Sequence, residues 1–111
     1  QVLGMGGDFN FITSIEDPVI EPTIPLKYSL SQNYPNPFNP VTQFNFSVPT
    51  PGDVLITIYN PLGQVVKTKH QYMNAGSHTY TFNAEHLPGG VYFYTLRTNG
   101  FVQTRKMILL K

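Results

Sequence analysis

Asn33-Tyr34-Pro35-Asn36-Pro37-Phe38-Asn39-Pro40, followed without a break by Val41-Thr42-Gln43-Phe44-Asn45-Phe46-Ser47-Val48, carries the decision about the fold. Pro35, Pro37 and Pro40 forbid a helix and remove three backbone donors. Each also drives the residue ahead of it toward extended geometry. The first eight residues therefore read as a stiff, polyproline-like strap, in which the rings of Tyr34 and Phe38 are the apolar anchors. The next eight alternate. Thr42, Phe44, Phe46 and Val48 fall on one face and Gln43, Asn45 and Ser47 on the other, the period of a half-buried strand. A rigid strap leading straight into such a strand reads as the threshold of a small β domain.

Beyond Val48, β-prone runs and turn signals take turns. Thr50-Pro51-Gly52-Asp53 has proline and glycine at the centre of a type II turn, and Asn60-Pro61-Leu62-Gly63 fits a type I turn. Asn74-Ala75-Gly76 and Leu87-Pro88-Gly89-Gly90 break the chain again, and Asn99-Gly100 is a two-residue hairpin signal. Turn centres thus recur about every 11 to 13 residues, close to the rhythm of an antiparallel sandwich or barrel. Strands are expected at residues 54–59, 64–72, 78–83, 91–98 and 101–110, with a short one at 28–31. No amphipathic helix pattern is present. The expected fold is all-β, an immunoglobulin-like antiparallel sandwich of about seven strands.

Upstream, residues 9–15 are β-prone and read either as the last strand of a preceding domain or as a free tail. Residues 18–25 hold Pro18, Pro22 and Pro25 next to Asp17 and Glu21, the composition of a semi-rigid linker. Residues 1–25 are therefore assigned to the end of a preceding region plus linker, and 26–111 to the domain. Gln1 heads the sequence with no basic, apolar, small-residue leader behind it, so a fragment or a processed product is expected.

Composition narrows the function. Ten prolines and nine glycines suit a loop-rich β protein, and a net charge of +1 suggests neither nucleic acid nor an anionic membrane as partner. The acids Asp8, Glu16, Asp17 and Glu21 precede Ser31, and after it only Asp53 and Glu85 are acidic against Lys67, Lys69, Arg97, Arg105, Lys106 and Lys111. There is no cysteine, so no disulfide can form, and no run is long enough to span a membrane.

Catalytic constellations are missing from the pattern. Glycoside hydrolysis needs a carboxylate pair, and Asp53 and Glu85 read as solvated turn residues. The strands on either side of residues 74–77 could bring His70 and His78 together, but zinc wants three or four ligands. No serine sits in a nucleophile elbow. No catalytic residue, cofactor or metal site is expected. Tyr80, Tyr92 and Tyr94 invite a sugar-stacking platform, although a core of this size needs such rings itself. The closing run Arg105-Lys106-Met107-Ile108-Leu109-Leu110-Lys111 stands apart. It reads as a final strand buried on both faces, and its place at the end makes it available for capture by another protein.

Four segments in this order resemble a known family: residues 30–40, the stretch Ile58-Tyr59-Asn60-Pro61-Leu62-Gly63-Gln64-Val65-Val66, the stretch Leu87-Pro88-Gly89-Gly90-Val91-Tyr92-Phe93-Tyr94, and residues 105–111. They look like the C-terminal sorting domain of the type IX secretion system, type A, found on secreted proteins of Gram-negative bacteria. The resemblance implies a non-catalytic address that takes a cargo from the periplasm through the outer membrane, to cell-surface attachment or release. It implies an outer-membrane translocon and a sortase-like surface peptidase as partners. The domain is expected to be a monomer. The resemblance places recognition at Gly63, Gly90, Val91, Tyr92, Lys106, Met107, Ile108, Leu109, Leu110 and Lys111. The residues themselves make Tyr34, Pro35, Pro37, Phe38 and Pro40 a structural strap, expected to separate cargo from address. Asn60-Pro61 departs from the family, which often has Asp and a non-proline there, a swap a turn tolerates. The alternative reading is an ancillary carbohydrate- or protein-binding module of a secreted enzyme. A third is a structural module like the immunoglobulin-like domain of flagellar hook-capping proteins.

Overall fold

The computed structural model describes residues 24–111 and shows seven strands in two antiparallel sheets. The strands are β1 (Ser29–Leu30), β2 (Val41–Val48), β3 (Gly52–Tyr59), β4 (Val65–Met73), β5 (Gly76–Asn83), β6 (Gly90–Thr98) and β7 (Phe101–Leu109). One sheet has the order β1-β2-β5 and the other β4-β3-β6-β7. The described residues contain no helix. The β-sandwich expected from the alternation and the turn rhythm is therefore present. The β-prone run at 9–15 and most of the 18–25 linker lie outside the described residues.

The alternation in β2 builds one wall of the core. Thr42, Phe44, Phe46 and Val48 are buried, and their neighbours face outward. Opposite them stand Val54, Ile56 and Ile58 of β3, Tyr94 and Leu96 of β6, and Met107 and Leu109 of β7. Phe44 joins the two walls, its ring stacked on Tyr94 with centroids 4.2 Å apart. Such offset aromatic pairs add stability beyond the area they bury.

The turns set where the strands begin. Asn99 (φ 49°) and Gly100 (φ 86°) both adopt left-handed geometry, the two-residue turn that matches strand twist. Asn60 knots the next turn: its Oδ1 accepts from Leu62 N and Gln64 N, and its carbonyl accepts from Gly63 N at 2.9 Å. The type II turn expected at residues 50–53 needs a positive φ at Gly52, and Gly52 has none. Gly52 instead opens β3 and leaves room for the Asn99 amide, because a Cβ there would meet Asn99 Oδ1 at 2.6 Å and oblige that side chain to move.

β4 departs from the half-buried pattern. It pairs only with β3 and is exposed along nearly its whole length. Lys67 and Lys69 lie opposite Ile58 and Ile56, but the facing sheet has three strands against four, so β4 overhangs the core. Lysines on such an edge discourage pairing with another chain. β4 and β5 also fall in different sheets, so the turn between them does not make a hairpin. His70 sits opposite Leu55 and His78 opposite Phe46, and the juxtaposition of these histidines is not realised.

Candidate functional site

The closing run forms β7, and its partner is β6. Gly90 lies opposite Leu109, Val91 opposite Ile108 and Tyr92 opposite Met107. The Gly-Val-Tyr run and the terminal basic-apolar run, separate in sequence, thus become adjacent rungs of one ladder. Cross-strand neighbours of this kind are close enough to present a joint surface.

The terminal strand is not buried on both faces. Met107 and Leu109 enter the core, Ile108 is half-buried, and Lys106, Leu110 and Lys111 are exposed. The reason is position: β7 ends its sheet, and no third layer covers the outer side. Lys111 Nζ donates to Glu85 O at 2.8 Å. Among the described residues the one basic side chain within 4.0 Å of a carboxylate is His70, 3.9 Å from Asp53 and paired in charge only when protonated, so no described carboxylate pairs with Lys106 or Lys111.

The glycines next to this ladder act differently. Gly90 has φ 147°, a backbone that side chains rarely adopt, and open space around it. Gly89, expected only to break the chain and not counted among the recognition residues, permits a close approach. A Cβ on it would lie 3.3 Å from Leu109 O and 3.1 Å from the Lys111 side chain. The doubled glycine was the available signal. Gly63, with φ 82°, shapes the Asn60 turn, and that turn meets the Gly89-Gly90 turn at one pole of the sandwich. Between them lies a groove of about 310 Å³, with Pro61, Leu62, Leu87, Pro88 and Tyr92 in its walls. Leu62 is well exposed at its rim.

The strap contributes unequally. Phe38 is 1% exposed and meets Phe82 edge-on, whereas Tyr34 is 79% exposed and anchors nothing in the core. Asn33 and Thr42 fasten the strap instead. Thr42 Oγ1 donates to Pro35 O at 2.8 Å, and Asn33 Nδ2 donates to Thr42 Oγ1 at 3.0 Å. The strap, expected only to separate two regions, lies on β7. Ile108 N donates to Asn36 Oδ1 at 3.0 Å, Phe38 N donates to Ile108 O at 2.9 Å and Leu110 N donates to Phe38 O at 2.8 Å. The free edge of the last strand is thereby covered from residue 106 to 110. Neither Asn36 nor Gln32, which donates to Lys106 O at 2.7 Å, was marked by sequence pattern.

The three tyrosines that invited a sugar platform are core residues. Tyr80, Tyr92 and Tyr94 are all buried, so the sugar-stacking platform is overturned. Tyr92 OH donates to Pro88 O at 2.7 Å, and Tyr94 OH to Ser31 O at 2.7 Å. Burial pushes the Tyr94 hydroxyl up to about 12, against a smaller lowering by a backbone hydrogen bond at Asn33 and by Arg105. Burial also raises Tyr80 and Tyr92. Among the described residues, no cluster of three or more His, Cys, Asp or Glu could hold a metal. No described helix is long and apolar enough to cross a membrane.

Residues 32–110 match the family model described as "Secretion system C-terminal sorting domain". Among curated proteins, none matches the chain.

Proposed function

Because the chain belongs to the family of secretion system C-terminal sorting domains, we propose that its address is read at the pole where β6, β7 and the Gly63 turn meet. The chain is a sorting signal of type IX secretion, and it directs export across the outer membrane to a secreted or cell-surface location. It is handled by that system behind a preceding cargo.

In this reading the recognised residues are Gly63, Gly90, Val91, Tyr92 and the run Lys106, Met107, Ile108, Leu109, Leu110 and Lys111. The register of β6 on β7 is the observation that supports it, because it joins two distant stretches into one surface. The side chains divide the work. Met107, Leu109 and Tyr92 fix the strand to the core, and Lys106, Ile108, Leu110 and Lys111 face outward to a reader. The outer-membrane translocon and a sortase-like surface peptidase are the proposed readers, with cleavage in the linker ahead of residue 26. No residue is assigned a catalytic part.

A cargo fused ahead of the chain tests the reading. Lys106→Ala with Leu110→Ala changes two exposed side chains and leaves the core intact. The fused cargo should accumulate in the periplasm, while the purified variant keeps its β-sheet circular dichroism and melting temperature. Surface delivery at the unsubstituted level would overturn the assignment.

A further inference from the structure

The strap and β7 run side by side in the same direction. Tyr28 stacks on Phe101 where β7 begins, with ring centroids 5.2 Å apart. Farther along, Arg105 Nε donates to Leu30 O at 2.6 Å and Gln32 Nε2 to Lys106 O at 2.7 Å. The seam closes with Asn36 on Ile108 N and Phe38 between Ile108 and Leu110. Residue numbers rise together along both segments, and the bridge between Phe38 and Leu109 is parallel. The chain ahead of Tyr28 therefore leaves one end of the seam, and Lys111 lies at the other.

Two parallel segments that exit at opposite ends are loaded in shear by a pull between those ends. All cross-bonds then carry load together, and none opens before its neighbours. A pull applied at one end, away from the partner, opens the bonds one after another. We infer that this domain is a load-bearing coupling, in which tension between the upstream chain and the C-terminal end falls on the seam between strap and β7. This goes beyond the export reading and depends on neither its route nor its reader. It gives a task to Gln32 and Asn36, two exposed side chains that bond the free edge of β7 and contribute nothing to the core.

Single-molecule pulling tests the coupling on the full chain. The sequence has no cysteine, so Leu62→Cys supplies a unique handle. Leu62 shares a groove with Gly89, and Gly89 lies against Lys111, so a pull between residue 62 and the C-terminus peels β7 from its end. Forced unfolding reports the unfolding barrier rather than equilibrium stability, so at one loading rate the pull between the two termini should require about two-fold more force or greater. Gln32→Ala with Asn36→Ala should lower the termini force toward the peeling value. Equal forces in the two geometries, or a termini force unchanged in the double variant, would overturn the inference.

Discussion

Phe38 and Tyr34 look alike on paper, each a ring beside proline in a stretch too stiff to be a helix. One is sealed in the core and the other lies in solvent. Sequence pattern cannot rank them, because prolines fix the backbone without saying which way each side chain faces once the segment crosses a sheet edge. The two should therefore respond differently to truncation. Phe38→Ala should cost about 3 to 5 kcal/mol, the range for deleting a buried Phe. Tyr34→Ala should stay within about 0.5 kcal/mol, as surface changes do. Urea midpoints of the two variants decide it, and equal losses would contradict the packing described. The glycines carry the same lesson. A glycine at the close of the Asn60 turn was legible from the turn type, but its positive φ was not, nor was the crowding at Gly89, which arises from Leu109 O and Lys111, more than 15 residues away.

At the scale of elements, β7 shows how far alternation reaches. Four consecutive apolar residues suggested burial on both faces. The strand obeys period two all the same, with Met107 and Leu109 inside and Leu110 outside, because an edge position leaves one face without a second layer. The run therefore serves the core and the outer surface together. Deleting residues 107–111 removes two buried side chains, each worth about 2 to 5 kcal/mol, together with the backbone partners of Phe38. Against a typical stability of about 5 to 15 kcal/mol, the truncated chain should be largely unfolded at 37 °C by circular dichroism. A native spectrum and melting temperature would show that β7 is dispensable to the fold. Loss of export on truncation would then mix a missing address with a missing core, and the exposed-residue variant keeps the two apart.

At the scale of the molecule, the aromatic seam between sheets links stability to alkaline pH. Tyr94 packs on Phe44 across the sandwich and donates to Ser31 O. Its hydroxyl ionises near 10.0 when unfolded and near 12 when folded. The folded chain thus keeps a proton that the unfolded chain has lost between those values. Its contribution is complete below pH 10 and fades as pH rises toward 12, by about 2 to 3 kcal/mol for two units of difference. Tyr80 and Tyr92 act in the same direction. Tyr94→Phe should flatten the fall in urea midpoint between about pH 9 and pH 11, and an unchanged slope would remove Tyr94 from this role.

Sequence alone determined what local chemistry controls. Proline excluded helix from the strap, Asn99-Gly100 closed a hairpin, and the alternation of Thr42, Phe44, Phe46 and Val48 named a core face. These signals act within a few residues, where φ, hydrogen-bond donors and side-chain period are fixed by the residues themselves. The four ordered motifs carried the family as well. Tertiary structure alone decided which strands share a sheet, since turns of similar length can continue a sheet or leave it. That choice parted His70 from His78, left β4 overhanging, brought Gly90-Val91-Tyr92 against Leu109-Ile108-Met107, and laid the proline strap along β7. Each of these depends on how two twisted sheets of unequal width cover one another, a property of the assembled core.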